Sequence, residues 1–287
     1  MKIFVCLAFA TCGLGPVCLA SSSSNAWAVK EREMTEKTLP LSGSPNRVVV
    51  DNLEGYVHAT ASAGSTVRIT VHKTIRAETD ADLADAKRDV KLNISEQPGQ
   101  VSVYYDAPWR CHGEGQPCSG GGRRFYQVVY DIDVQMPRDA KAVISTVNGG
   151  DVQLDGLNGN FEVGNVNGAI RMNAIRGSGE VHTVNGPITI HFAKNPSASC
   201  GFKTVNGSVD AFFLHDLSAD LLFKTLNGQV YTDFEVSPRM APAPEGERRE
   251  GKFVYHGNNM SAGRAGQGGP ELSFNTLNGS IRLHRGQ

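Results

Sequence analysis

The sequence lacks a charge of one sign, a second long apolar run and any recognisable catalytic motif. Its 29 acidic and 28 basic residues leave a net charge of −1. Nucleic-acid binders usually carry a clear basic excess, so that class is excluded. After the first 20 residues no apolar stretch approaches the ~20 residues that a membrane-spanning helix needs. There is no G-x-S-x-G nucleophile elbow, no H-E-x-x-H and no Walker loop. Cysteine is sparse, with six in 287 residues. What is abundant is glycine, 32 residues, above the roughly 7% of ordinary chains. With a mean hydropathy of −0.27, this reads as a folded, turn-rich chain, neither disordered nor collagenous.

Residues 1–28 read as a signal peptide. Lys2 precedes the apolar run Ile3 to Ala10, and small residues follow. Pro16 and the polar run from Ser21 to Asn25 argue against a spanning helix. Cleavage after Ala26-Trp27-Ala28 is preferred over cleavage before Ser21. Cys18 is poorly placed for lipidation, since Gly15-Pro16-Val17 puts no small residue just before it. Export places the mature chain in the periplasm, the cell envelope or the medium of a bacterium. Cys111, Cys118 and Cys200 survive cleavage. An oxidising compartment permits a Cys111–Cys118 disulfide across a Gly-rich loop. The competing reading, a metal clip of Cys111, His112 and Cys118, supplies only three of the four ligands usual for structural zinc. No metal and no cofactor is expected. Cys200 reads as a buried apolar residue.

Residues 29–44 read as a linker and 45–137 as a β region with one helix. Arg47 to Asp51, Tyr56 to Thr60 and Thr66 to His72 have strand character. Leu83, Ala86 and Val90 recur at helical spacing, with Thr79 or Asp80 as cap. The cysteine loop joins strands at Gln100 to Tyr105 and Tyr126 to Met136.

Residues 138–287 carry an internal repeat, with inserts at 237–270. Leaving out Asn158, which marks a second corner, Asn-Gly pairs begin at Asn148, Asn167, Asn185, Asn206, Asn227 and Asn278, in steps of 19, 18, 21, 21 and 51 residues. Five of the six follow Thr-(Val/Leu), and Asn165 replaces the Thr in the other copy. Four residues before each Asn stand Ile144, Val163, Val181, Phe202, Phe223 and Phe274. Three after it stand Ile170, Ile188, Val209, Val230 and Ile281, with Val152 one place later in the first copy. These positions face inward with period two. The residues just before each Asn (Val147, Val166, Val184, Val205, Leu226 and Leu277) are expected inside as well. Such a period is wrong for simple hairpins. It predicts stacked coils of short strands, an all-β, single-stranded β-helix-like solenoid with one short helix, the two regions forming one continuous domain. The competing architecture is a meander or sandwich. The six asparagines should form one turn ladder in sequence order, with Asn and Gly supplying left-handed corners.

The series Thr183-Val184-Asn185-Gly186-Pro187-Ile188, Thr204-Val205-Asn206-Gly207-Ser208-Val209 and Thr276-Leu277-Asn278-Gly279-Ser280-Ile281 resembles the bacterial putative-adhesin family of extracytoplasmic β-strand-repeat proteins. Tyr130 to Pro137 also resembles the strand that leads into that family's repeats, as does the Gly-rich insert before the last repeat. The resemblance covers roughly residues 45–285. It implies architecture more than function, for the family's function is undefined. Three function classes stay open. The first is a non-enzymatic surface or envelope protein with a binding or structural role. The second is an envelope sensing or regulatory protein acting through protein contacts. The third is a polysaccharide-active enzyme, with Asp151 and Asp155 or Asp210 and Asp233 as its acids. The binding reading rests on His182, Lys203 and Lys224, which stacking would align on one sheet. Either that stripe attracts anionic glycans or headgroups, or its charge simply discourages sheet aggregation. The partner, whether glycan or envelope protein, is left open.

Overall fold

The computed structural model describes residues 27–110, 124–240 and 260–286, together with two short strands at 246–249 and 252–255. Residues 1–26, most of the expected signal peptide, and Cys111 and Cys118, with their expected disulfide, lie outside the described residues.

The chain is all-β with one helix. Its first strands are β1 (Val29–Pro40), β2 (Arg47–Asp51), β3 (Val57–Ser62) and β4 (Thr66–Ala77). Helix α1 (Asp80–Asp89) follows, then β5 (Lys91–Gln97), β6 (Gln100–Asp106) and β7 (Tyr126–Pro137). The middle of the chain forms β8 (Lys141–Ser145), β9 (Val152–Asp155), β10 (Phe161–Gly164), β11 (Ile170–Ile175), β12 (Gly179–His182) and β13 (Ile188–Phe192). Then come β14 (Cys200–Asn206), β15 (Val209–Phe213), β16 (Ala219–Asn227), β17 (Val230–Thr232) and β18 (Val236–Arg239). The last are β19 (Gly246–Arg249), β20 (Lys252–Tyr255), β21 (Met260–Ala265), β22 (Glu271–Asn278) and β23 (Ile281–Arg285). Helix α1 is capped where expected: Thr79 Oγ1 accepts the Asp82 amide at 3.2 Å.

Two large sheets enclose one core. One runs β1-β4-β7-β3-β9-β11-β13-β15-β23-β17, the other β18-β21-β16-β22-β14-β12-β10-β8-β2-β6-β5. From β6 to β16 in one sheet and from β7 to β17 in the other, every neighbouring pair is parallel. Each asparagine corner carries the chain from a strand of the second sheet to a strand of the first. Strands in register bring like residues into columns. Val103, Val50, Ile144, Val163, Val181, Phe202, Phe274 and Phe223 form one inner column. Ile132, Val57, Val152, Ile170, Ile188, Val209 and Ile281 form its counterpart in the facing sheet, and Val230, expected inward, continues the register on edge strand β17 but is exposed there. Antiparallel strands finish the stack: β4, β1 and β5 at one end, β21 and β18 at the other.

The structure corrects four expectations. Residues 29–40, read as a linker, form edge strand β1. Both its faces are mostly exposed, so its charged sequence shows no apolar alternation, as suits an edge guarded against aggregation. The spatial order of units is not the chain order. Strands β22 and β23 insert between β14/β15 and β16/β17, so Asn278 lies between Asn206 and Asn227. The residue before each asparagine points outward: Val184, Leu277 and Leu226 are exposed, and Val147, Val166 and Val205 half-buried. The inward place belongs to the threonine one step earlier. Finally, the corner glycines are mostly not left-handed. Gly186, Gly207 and Gly228 are absent from the residues with positive φ. Their need for glycine is close approach: a Cβ on Gly186 would sit 2.1 Å from the Gly168 carbonyl oxygen, and one on Gly207 2.0 Å from that of Gly186.

Candidate functional site

The asparagine corner presents three rows of side chains. On its rim, each asparagine amide donates to the side-chain oxygen of the neighbour in the column. Asn167 donates to Asn148, Asn185 to Asn167, Asn206 to Asn185, Asn278 to Asn206 and Asn227 to Asn278, all at 2.7–2.8 Å. All five bonds run in one sense, and Asn148 passes the series on to the Glu54 carboxylate at 3.4 Å.

Inside the corner runs a second ladder that the sequence pattern did not announce. Thr183 donates its hydroxyl to the Gly168 carbonyl, Thr204 to Gly186, Thr276 to Gly207 and Thr225 to Gly279, at 3.0–3.1 Å. Thr146 donates to Gly55 at 2.9 Å, and Asn165, in the deviant copy, to Gly150 at 3.1 Å. Each hydroxyl thus satisfies a carbonyl of the adjacent unit, next to the glycine contact just described. The ladder reaches one unit further. Asn52 occupies the threonine position and donates to the Tyr130 carbonyl at 2.8 Å, while Glu54 bridges to Asn148 in the asparagine column. Residues Val50 to Ala59 are therefore a further copy of the repeat. Glutamate in place of asparagine hides it, although Val50, Val57 and Ala59 keep the inward spacing and Gly55 keeps the glycine.

The third row lies on the outer face of the second sheet. His182, Lys203 and Lys224 are all exposed there. His182 neighbours Lys203, but Asn275 separates Lys203 from Lys224, because β22 sits between their strands. Lys203, Asn275 and Lys224 run beside Val205, Leu277 and Leu226, and together they line a groove of about 260 Å³. Among the described residues neither lysine has an anionic partner.

The carboxylates considered as catalytic acids are engaged in structure. Asp151 accepts the Ala169 amide at 2.9 Å and pairs with Arg171. Burial pushes its carboxyl up, but the hydrogen bonds from Arg171 and Ala169 and the charges of Arg171 and His58 outweigh this and hold it below its usual value. Asp155 accepts from Gln153 at 2.7 Å and Asn173 at 2.8 Å. Asp210 accepts from Ser208 at 2.8 Å and pairs with Arg282 at 3.3 Å. His284 lies between Asp210, at 3.4 Å, and Asp233, at 3.9 Å. His284 also stacks on Phe212 at 4.4 Å, which in turn stacks on His191 at 4.0 Å. Among the described residues no three His, Cys, Asp or Glu side chains are grouped to hold a metal ion. Cys200 is free and buried, and burial raises its thiol above the ordinary value. Among the same residues no helix is long and apolar enough to cross a membrane.

No family model matches the chain, and no curated protein does. Solved structures resemble it distantly. A putative cell adhesion protein from Clostridium sporogenes is 7% identical with a TM-score of 0.44, the match covering 89% of this chain and all of that one. A putative adhesin from Bacteroides fragilis is 9% identical with a TM-score of 0.32, covering 88% and 97%. A putative lipid binding protein from Parabacteroides distasonis is 14% identical with a TM-score of 0.27, covering 87% and 96%. Likeness at this level carries no functional inference.

Proposed function

We propose that this chain is an exported, non-enzymatic β-solenoid of the adhesin-like kind, a single domain that binds envelope or surface material along its outer face. Successive corners and their two strands are the coils of that solenoid, and the interior and rim ladders hold them in register. One observation carries the reading. The polar residues that recur are consumed in structure, while the outer row of His182, Lys203 and Lys224 has no ionic partner among the described residues. Catalysis needs polar groups of different kinds converging on one pocket. Here repetition spreads similar groups along a face, which suits extended contact. The candidate acids are each tied to a cation or an amide, and Asp151 is held where it cannot serve as a general acid near neutral pH.

The signal peptide and the Cys111–Cys118 disulfide belong to the same proposal, since both follow from export. A thiol titration of unfolded, unreduced mature protein should then find one free thiol, that of Cys200. The functional test is incubation of the mature protein with polysaccharides and protein extracts of the producing cell's envelope. Retention without turnover supports the proposal. Turnover that disappears in Asp151→Ala or Asp210→Ala would overturn it.

A further inference from the structure

The groove beside the asparagine corner joins two chemistries in parallel rows. Lys203 and Lys224 flank Asn275 in one row, and Val205, Leu277 and Leu226 form the other. No carboxylate lines it. Leu226 is 60% exposed and Leu277 43%. With Val184 they make three of the eight large apolar residues found exposed among the described residues, all in the row that precedes the asparagines. Such clustering marks a contact surface rather than scatter.

We propose that this groove docks the protein onto a lipid leaflet carrying anionic headgroups. The proposal rests on the binding-scaffold reading above and names the partner of that face. Three features select a leaflet. The apolar row is wholly aliphatic; ring faces, which stack on flat ligands such as sugars, are missing from it. At the lysine row the strands beneath are paired on both sides, β14 by β12 and β22, and β16 by β22 and, as far as Lys224, by β21. There they offer no free backbone edge to an extended peptide. The two lysines stand two rungs apart, about 9.6 Å at the usual strand spacing, which places them over neighbouring headgroups rather than on one phosphate. Lysine is a compact point charge without the fork that reads a single phosphate in two contacts. The chain's net charge is only −1, so the attraction is local to this patch.

The test is co-sedimentation of the full mature protein with vesicles. One set is phosphatidylcholine alone, the other phosphatidylcholine mixed with phosphatidylglycerol. Binding should require the anionic lipid and weaken as salt rises. The double variant Lys203→Gln/Lys224→Gln should bind about 25-fold more weakly, at about fivefold per lysine. Leu226→Asn/Leu277→Asn should also lose binding with an unchanged far-UV circular dichroism spectrum, because both side chains are exposed. Lys194→Gln, a neutralisation outside the groove, should bind as the wild type does. Equal binding to both vesicle sets, or wild-type binding by the groove variants, would overturn the proposal. Absence of vesicle binding while an envelope polysaccharide or protein is retained would overturn it and leave the scaffold reading standing. Absence of both would overturn the two together.

Discussion

Asn278 donates its side-chain amide to Asn206 at 2.7 Å, although 72 residues separate them, and accepts that of Asn227 at 2.7 Å. The last unit of the chain is thus a wedge between two units that precede it. The core repeats the arrangement. Phe274 stacks on Phe202 at 5.1 Å on one side and on Phe223 at 5.6 Å on the other.

That position makes Phe274 the keystone of the three rings. It is 1% exposed and lies against both neighbours, whereas Phe223, in the terminal unit, is 7% exposed and stacks on Phe274 alone. Phe274→Ala should cost about 5 kcal/mol and Phe223→Ala nearer 3 kcal/mol, the ends of the usual range for buried phenylalanine. Urea unfolding of the two variants checks the order. Equal costs would mean that the wedge transmits nothing beyond local burial.

The two ladders should differ in energetic weight. Thr204 is 2% exposed, and its hydroxyl serves the Gly186 carbonyl; Asn206 is exposed, and water can replace its partner. Thr204→Val keeps the shape but removes the donor, so it should cost about 2 kcal/mol, as for a buried hydrogen bond left half made. Asn206→Ala should cost about 0.5–1 kcal/mol. Denaturant midpoints compare them. A larger loss at Asn206 would show that the rim ladder, not the interior one, sets the spacing of the repeat units.

These ladders show where the sequence could be read and where it could not. The asparagine column was legible because one residue type recurs at one offset from glycine. The threonine row recurs as regularly, two residues before the asparagine, but its inward place follows only from strict alternation from Phe202, which makes Thr204 inward and the aliphatic Val205 outward, against their polarity. The copy at Val50 to Ala59 escaped because Glu54 ends the column with a carboxylate instead of an amide. The wedge was illegible for a different reason. Phe202, Phe223 and Phe274 are equivalent in pattern, and nothing local says which two are neighbours. Of the outer groove, Lys203 and Lys224 were visible, but Asn275 between them depends on that same spatial order.

Glycine at the corner should be indispensable for contact rather than conformation. Gly186→Ala drives a Cβ to 2.1 Å from the Gly168 carbonyl oxygen, a backbone atom that cannot swing aside. The loss should be about 4 kcal/mol or more, among the large values that follow from overpacking. Gly64 is the contrasting case: its φ is +115°, and nothing lies within 4 Å of a Cβ there. Gly64→Ala should cost only the left-handed penalty, about 1–2 kcal/mol. Thermal unfolding of both variants separates steric contact from backbone preference.

Asp151 tests the line between a catalytic acid and a structural one through its pH dependence. Burial opposes its charge, yet Arg171, the Ala169 amide and the charge of His58 hold its carboxyl below the ordinary value. A carboxyl lowered in the folded state binds its proton less readily there than in the unfolded chain. Its contribution is therefore present above the unfolded value, about 3.9, and is lost as the pH falls through the lower folded value. Replacing it by asparagine removes the charge at every pH. Asp151→Asn should be less stable than the wild type at pH 7, by no more than about 1 kcal/mol because the pair is well exposed to solvent. The gap should narrow as the pH drops below about 4, where the wild-type carboxyl also becomes neutral. Chemical denaturation of the two proteins from pH 7 to pH 3 follows this difference directly. A general acid would behave in the opposite sense, with a raised folded value and a wild type that gains stability relative to the variant on acidification. That outcome would return Asp151 to the list of catalytic candidates.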